Sequence, residues 1–222
     1  MMITIATSDL DLRELIDDVA RYRDLPAWSY RGEHCDPGTF LEGVVLTESS
    51  GDRRKTAVRY ERHQDKPGRA DTSFDQDRPG VDDGPVEDDT SYGLCQVMGY
   101  NIKLLTGVTV MVADRRWPDP VRRIDFTPFF DAELNLMLGT RLLCMEIVAV
   151  ERELLREHRD LAEAAVEIVD RALMRYNGGP SGDDKQDNGT RRLQAYVDKV
   201  GRNSLLARAS RNEMGWRPWR TA

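Results

Sequence analysis

The chain is poor in the residues that build cross-links and metal sites. It has three cysteines (Cys35, Cys95, Cys144) and three histidines (His34, His63, His158) in 222 residues. The cysteines are odd in number, far apart and without Cys-x-x-Cys spacing. That excludes a disulfide framework or a zinc site and leaves buried thiols made in a reducing compartment. No histidine has metal-ligand spacing, so neither a metal nor a cofactor is expected. Long apolar runs are also missing. The longest apolar region, near Leu134 to Val150, is broken by Arg141 and Glu146, so no membrane-inserted helix is expected. The first residues lack a basic stretch leading into an apolar one, so no signal peptide is expected. Lys and Arg are outnumbered by Asp and Glu, 32 to 39, for a formal net charge of −7. This excludes a general binder of nucleic acid or of an anionic membrane, which needs surplus positive charge. There is no Gly-x-Ser-x-Gly element for a serine hydrolase. The glycines after Asn177 follow a helix and lack Walker spacing, so they do not form a phosphate loop.

What is present reads as a soluble, mainly α chain long enough for one sizeable core. Ser8-Asp9-Leu10-Asp11 has the pattern of an N-cap with an acid at N3. Leu12, Leu15, Ile16, Val19 and Tyr22 then recur at helical spacing up to Pro26. Thr39 and Glu42 form a second capping-box pattern, opening a short apolar helix over Phe40–Leu46 that ends on Glu48. Arg54–Arg62 is rich in β-favouring residues and predicts a strand or hairpin arm. Residues 65–90 carry nine acids, three bases, three prolines and three glycines. Such a segment buries little and reads as a long mobile surface loop, functional or disordered.

Helices resume after Ser91, with Leu94, Val97, Met98, Ile102 and Leu105 on one face. Trp117-Pro118-Asp119-Pro120 marks a turn. Asp131 is placed to cap a long helix reaching about Glu157, with a stripe of Leu134, Leu138, Leu142 and Met145. A further helix covers about Leu161–Tyr176 and stops at Asn177-Gly178-Gly179-Pro180. A last helix holds Leu193, Tyr196, Val197 and Val200. The expected organisation is an N-terminal helix (1–30) packed on a main domain (31–200, containing the 65–90 loop), then a basic tail (201–222). In that tail five arginines against Glu213 give a formal +4. It is either a solvated segment packing Trp216 and Trp219 on the domain or a wall or partner contact.

A carboxylic acid at the end of a buried apolar helix, followed by small polar residues, is a place for a raised pKa beside an open cleft. Glu48-Ser49-Ser50-Gly51 has this form. Two later segments accompany it: Tyr92-Gly93-Leu94-Cys95-Gln96-Val97 and Ala172-Leu173-Met174-Arg175-Tyr176-Asn177-Gly178-Gly179. In that order the three resemble the lytic transglycosylase and goose-type lysozyme family, which cleaves peptidoglycan. Cys95 stands where the family's Gly-Leu-Met-Gln segment has Met, and Arg175 where its Ala-Tyr-Asn has Ala. Phe130–Gly139 looks like the family's helix carrying Asn and a small residue. Tyr196-Val197-Asp198-Lys199-Val200 is like its closing Tyr-Val element. The resemblance covers about Phe40 to Val200, with a longer stretch than usual between Glu48 and Gly93.

The resemblance implies a lysozyme-like fold, mainly α with a small β element, cleaving the β-1,4 bond between N-acetylmuramic acid and N-acetylglucosamine. Glu48 would act first as acid and then as base, giving an anhydro-muramoyl end. Ser49, Tyr92, Gly93, Gln96, Tyr176, Asn177 and Tyr196 would bind or orient the glycan strand. A hydrolytic muramidase is the alternative and needs a second carboxylate; Glu61 is the first choice, with Asp71, Asp75 and Asp77 as rivals. The blander readings are a polar helix face for Gln96 and a core Tyr with a C-cap Asn for Tyr176-Asn177. A non-catalytic glycan-binding or structural component of a phage or secretion apparatus is the rival from another class. The partner in each reading is peptidoglycan. The chain is expected to be a monomer, made in the cytoplasm and acting on the wall after release or delivery by a partner.

Overall fold

The structure, a computed structural model, describes residues 9–49, 58–60, 90–106, 110–112, 121–123, 130–179 and 188–215. It is mainly helical, with small antiparallel sheets. The chain divides into two compact units, residues 1–52 with 139–222, and residues 53–138. Among the described residues no helix is long and apolar enough to cross a membrane.

In the first unit, helix α1 (Asp9–Tyr22) leads to a hairpin of β1 (Trp28–Tyr30) and β2 (Glu33–Cys35). Helix α2 (Pro37–Glu48) follows. Leu12, Ile16 and Val19 are buried at helical spacing, whereas Tyr22 is 72% exposed. Helix α2 carries Phe40, Leu41, Val44 and Val45, each at most 1% exposed. Burying such side chains contributes about 1.5–3 kcal/mol apiece. Trp28 stacks tilted on Phe40 with ring centroids 5.2 Å apart, which seats the hairpin on α2.

Helix α2 starts differently from the sequence pattern. The N-cap is Asp36, whose Oδ1 accepts from the Thr39 amide at 2.9 Å. Pro37 sits in the first turn, a position where its missing N–H costs nothing. Glu42, expected as the reciprocal acid of a capping box, is instead fully buried. It accepts from Arg13 Nε at 3.0 Å and Arg211 Nε at 2.7 Å. Arg211 also donates to Asp17 at 2.6 Å, and Arg13 to Ser210 at 2.9 Å. Burial alone would push the Glu42 carboxyl up, but the two guanidiniums outweigh it and hold it below its ordinary value.

In the second unit a three-stranded antiparallel sheet has the order β3 (Val58–Tyr60), β4 (Thr90–Tyr92), β5 (Val97–Met98). Helix α3 (Gly99–Thr106) and a two-stranded ribbon, β6 (Val110–Val112) with β7 (Val121–Arg123), follow. The helix expected from Leu94 onward therefore begins five residues later. Residues 93–96 form a turn in which Gly93 (φ 74) and Gln96 (φ 45) have left-handed backbones that a helix does not admit. The strand at 58–60 falls inside the arm expected over Arg54–Arg62.

Helix α4 (Ala132–Arg156) is opened by Asp131, whose Oδ1 accepts from the Leu134 amide at 3.0 Å. Its buried stripe within the first unit is Leu143, Ile147, Val150 and Leu154, whereas Met145 is 47% exposed. The expected stripe through Leu142 and Met145 is thus displaced around the helix. Helices α5 (Ala165–Gly178) and α6 (Asn188–Glu213) complete the first unit. Helix α6 packs on α2 and α5. Gly43 makes the α2–α6 approach possible: a Cβ there would fall 2.0 Å from Ser204 Oγ and 2.8 Å from the Ser204 backbone nitrogen. The boundary expected at residue 201 lies inside α6. Two arginines of the expected basic tail are structural: Arg211 belongs to the buried network, and Arg208 donates to the His34 carbonyl and Glu33, both at 2.7 Å.

Candidate active site

Glu48 is the last residue of α2, at the end of a helix whose sides are almost entirely buried. Its side chain is half-buried. Tyr196 Oη on α6 donates to Glu48 Oε1 at 2.5 Å, within the range for a hydroxyl bonded to a carboxylate. Tyr196 is itself 9% exposed, so its ring is held in the unit's core and its hydroxyl reaches the carboxyl from a fixed base. The two residues are 148 positions apart. The sequence motifs placed both in the candidate site, and the fold joins them directly.

The preceding residue, Thr47, is held from the same helix. Lys199 Nζ donates to the Thr47 carbonyl at 3.1 Å, and Asn203 Nδ2 to Thr47 Oγ1 at 3.0 Å. Sequence reasoning missed Lys199 and Asn203. The available signal was their spacing from Tyr196, three and seven residues, which places all three on one helix face.

Ser49 does not present its hydroxyl as expected of a substrate-binding group. It is the C-cap of α2 and 4% exposed. Both its amide and its Oγ donate to the Val45 carbonyl, at 2.9 and 2.7 Å. The end of a helix leaves carbonyls without partners, and Ser49 meets one of them.

Tyr176 and Asn177 occupy the last turn of α5, the former half-buried and the latter exposed. Gly179 closes that helix with φ 82, matching the stop expected from the glycine pair. Arg175, which replaces the family's Ala, is 5% exposed and grips Glu153 of α4 through two bonds of 2.9 and 2.6 Å. Arg171 adds a third at 2.8 Å. The turn carrying Tyr176-Asn177 is thus anchored to α4 by a paired charge and lies on a helix packed against α6.

The second unit carries Tyr92, Gly93 and Gln96 in one turn, built around Asn135 of α4. Asn135 is fully buried. Its Nδ2 donates to the Tyr92 carbonyl and its Oδ1 accepts from the Cys95 amide, both at 2.9 Å. A Cβ on Gly93 would sit 2.3 Å from Asn135 Nδ2, so glycine is required there by both space and backbone sign. Gln96 Nε2 donates to the Gly93 carbonyl at 2.9 Å. Gln96 therefore braces the turn and is 9% exposed; it is not on the helix face the periodicity suggested. The Tyr92 ring packs edge-on to Phe130 at 6.0 Å. Glu61, Asp71, Asp75 and Asp77 lie outside the described residues, as does the 65–90 loop apart from Thr90.

Among the described residues no group of three His, Cys, Asp or Glu side chains is placed to hold a metal. None of the three cysteines is in a disulfide, and Cys35 and Cys95 are buried. No protein-family model matches the chain, and neither a curated protein nor a solved structure gives a significant match.

Proposed function

We propose that the protein has a lysozyme-like fold and is a peptidoglycan lytic transglycosylase, cleaving the β-1,4 bond between N-acetylmuramic acid and N-acetylglucosamine with Glu48 as acid and then base. The observation that carries this reading is the Tyr196–Glu48 hydrogen bond at the end of a buried helix. Two residues drawn from separate sequence motifs meet there in a form suited to proton transfer.

The bond has a chemical consequence. Tyr196 donates its hydroxyl hydrogen to Oε1 and, while it does, the proton of the acid form is carried by Oε2. That oxygen protonates the glycosidic oxygen as an oxocarbenium-like transition state develops. Glu48 is then an anion, and the bond from Tyr196 becomes charge-assisted and stronger. The carboxylate next takes the proton from the muramic acid 6-hydroxyl as that oxygen attacks the anomeric carbon. The acid is restored, the ring closes, and no water is consumed. Tyr176 and Asn177, at the end of α5 in the same unit as Glu48, contact the sugar. In this scheme Ser49 holds the helix end and does not bind substrate.

The test is digestion of purified peptidoglycan, with products analysed by mass spectrometry. Anhydro-muramoyl ends, lacking the elements of water, are expected from the wild type and not from Glu48→Gln. Only hydrated reducing ends would assign the activity to a muramidase that uses a second carboxylate such as Glu61. Glycan binding without cleavage by either protein would assign it to a non-catalytic wall component.

A further inference from the structure

Helix α6 holds the last turn of α2 at three points on one face. Tyr196, Lys199 and Asn203 are spaced i, i+3, i+7 and so project from the same side of the helix. Tyr196 bonds the Glu48 carboxyl at 2.5 Å, Lys199 the Thr47 carbonyl at 3.1 Å, and Asn203 the Thr47 hydroxyl at 3.0 Å. Thr47 Oγ1 also donates to the Gly43 carbonyl at 2.8 Å, so its one proton is used and Asn203 approaches it as donor. The final carbonyls of a helix find no partner within it. Lys199 supplies one to Thr47 and places a cation at the negative end of the helix.

We propose that Lys199 and Asn203 are positioning residues for glycan cleavage: they fix Thr47, and through it the backbone of Glu48, so that the carboxyl meets the Tyr196 hydroxyl in the orientation proton transfer requires. The inference rests on the transglycosylase reading. Its physical basis is the adjacency of Thr47 and Glu48, since a rotation of the Thr47 peptide swings the Glu48 Cα and moves the carboxyl with it. An error near 1 Å in such a group is enough to slow chemistry severely. Lys199 is exposed, so its bond contributes little to global stability, and its effect on placement is separable from folding.

The experiment compares Lys199→Met, Lys199→Arg and Asn203→Leu with the wild type in three readouts. The first is the 13Cζ NMR resonance of Tyr196, which reports its bond to Glu48 and requires no activity; Glu48→Gln provides the reference for an altered bond. The second is kcat and KM on peptidoglycan. The third is the thermal midpoint. Lys199→Met is expected to lower kcat by about tenfold or more with little change in KM, to shift the Tyr196 resonance toward the Glu48→Gln position, and to leave the midpoint near the wild-type value. Asn203→Leu is expected to lower kcat and move the Tyr196 resonance in the same direction, and Lys199→Arg to recover most of the loss caused by Lys199→Met. Wild-type kcat and an unmoved Tyr196 resonance in Lys199→Met and Asn203→Leu would overturn the proposal. So would equal loss in Lys199→Arg and Lys199→Met. If the wild type cleaves no glycan, the transglycosylase reading fails, and with it the catalytic purpose assigned here. The NMR arm then still shows whether these two residues hold the Tyr196–Glu48 contact.

Discussion

Replacing Asp170 with asparagine should stabilise the protein at neutral pH and have no effect in acid. Asp170 lies on α5 and accepts from the buried Trp28 indole at 3.1 Å. Burial is the dominant influence and pushes its carboxyl up; the indole bond pulls it down, and the charge of Asp198 pushes it up again. The net value is raised from 3.8 to about 6. In the folded protein the proton is therefore held through a pH range in which the unfolded chain has already lost it. The unfolded state binds fewer protons between about pH 4 and 6, so stability falls as pH rises across that window and stays reduced above it. At 1.36 kcal/mol per pH unit the loss is at most about 3 kcal/mol. The side chain is only partly buried, so about 2 kcal/mol is the better expectation. The amide introduced by Asp170→Asn keeps a carbonyl for Trp28 Nε1 and carries no charge to desolvate or to repel Asp198. Urea unfolding followed by tryptophan fluorescence at intervals from pH 4 to pH 8 measures this. The Asp170→Asn variant should match the wild type near pH 4 and exceed it by about 2 kcal/mol at pH 7.5. A stability difference that is constant with pH, or one that grows toward acid, would refute the reasoning.

Three further outcomes are expected. Tyr196→Phe removes a hydrogen bond to a charged group, worth roughly 1.5–3 kcal/mol; steady-state kinetics on peptidoglycan should show kcat lowered by about 10–100-fold with KM little changed. Glu42→Gln leaves Arg13 and Arg211, with side chains 5% and 4% exposed, short of a counter-charge. Chemical denaturation should register a loss of about 3–5 kcal/mol, and a loss under about 1 kcal/mol would contradict the network's role. Asn135→Leu removes the hydrogen bonds that Asn135 makes to the Tyr92 carbonyl and the Cys95 amide. It should cost roughly 2–4 kcal/mol, and hydrogen exchange at the Cys95 amide should accelerate against the wild type.

Local rules read well where a feature depends on neighbouring residues. The buried run ending at Glu48, the Asp131 cap and the glycine stop after Asn177 all follow from side chains within one or two turns of each other. Features set by long-range partners were not legible. Thr39 and Glu42 satisfy a capping-box pattern, yet Asp36 caps the helix and Glu42 is claimed by Arg13 and Arg211, 29 and 169 positions away. The apolar residues Leu94, Val97 and Ile102 mimic a helical face, but the left-handed backbones at Gly93 and Gln96 break it, held by Asn135 some forty residues later. Arg208 and Arg211 look like part of a charged tail because their partners, Asp17, Glu33 and Glu42, lie near the other end of the chain. Within the candidate site, motif order singled out Glu48 and Tyr196, which the fold joins by a hydrogen bond. Lys199 and Asn203 were hidden because their partner is the backbone and hydroxyl of a threonine with no motif of its own.

The most direct measurement is the initial rate of glycan release from purified peptidoglycan by the wild type and by Glu48→Gln, each first shown to be folded by circular dichroism. Gln retains the shape of the side chain and an acceptor for the Tyr196 hydroxyl but has no proton to give. The expected result is a loss of about 10²–10⁴-fold, the usual contribution of a general acid–base group, at an unchanged thermal midpoint. Wild-type rates from the Gln variant would contradict the assignment of proton transfer to Glu48.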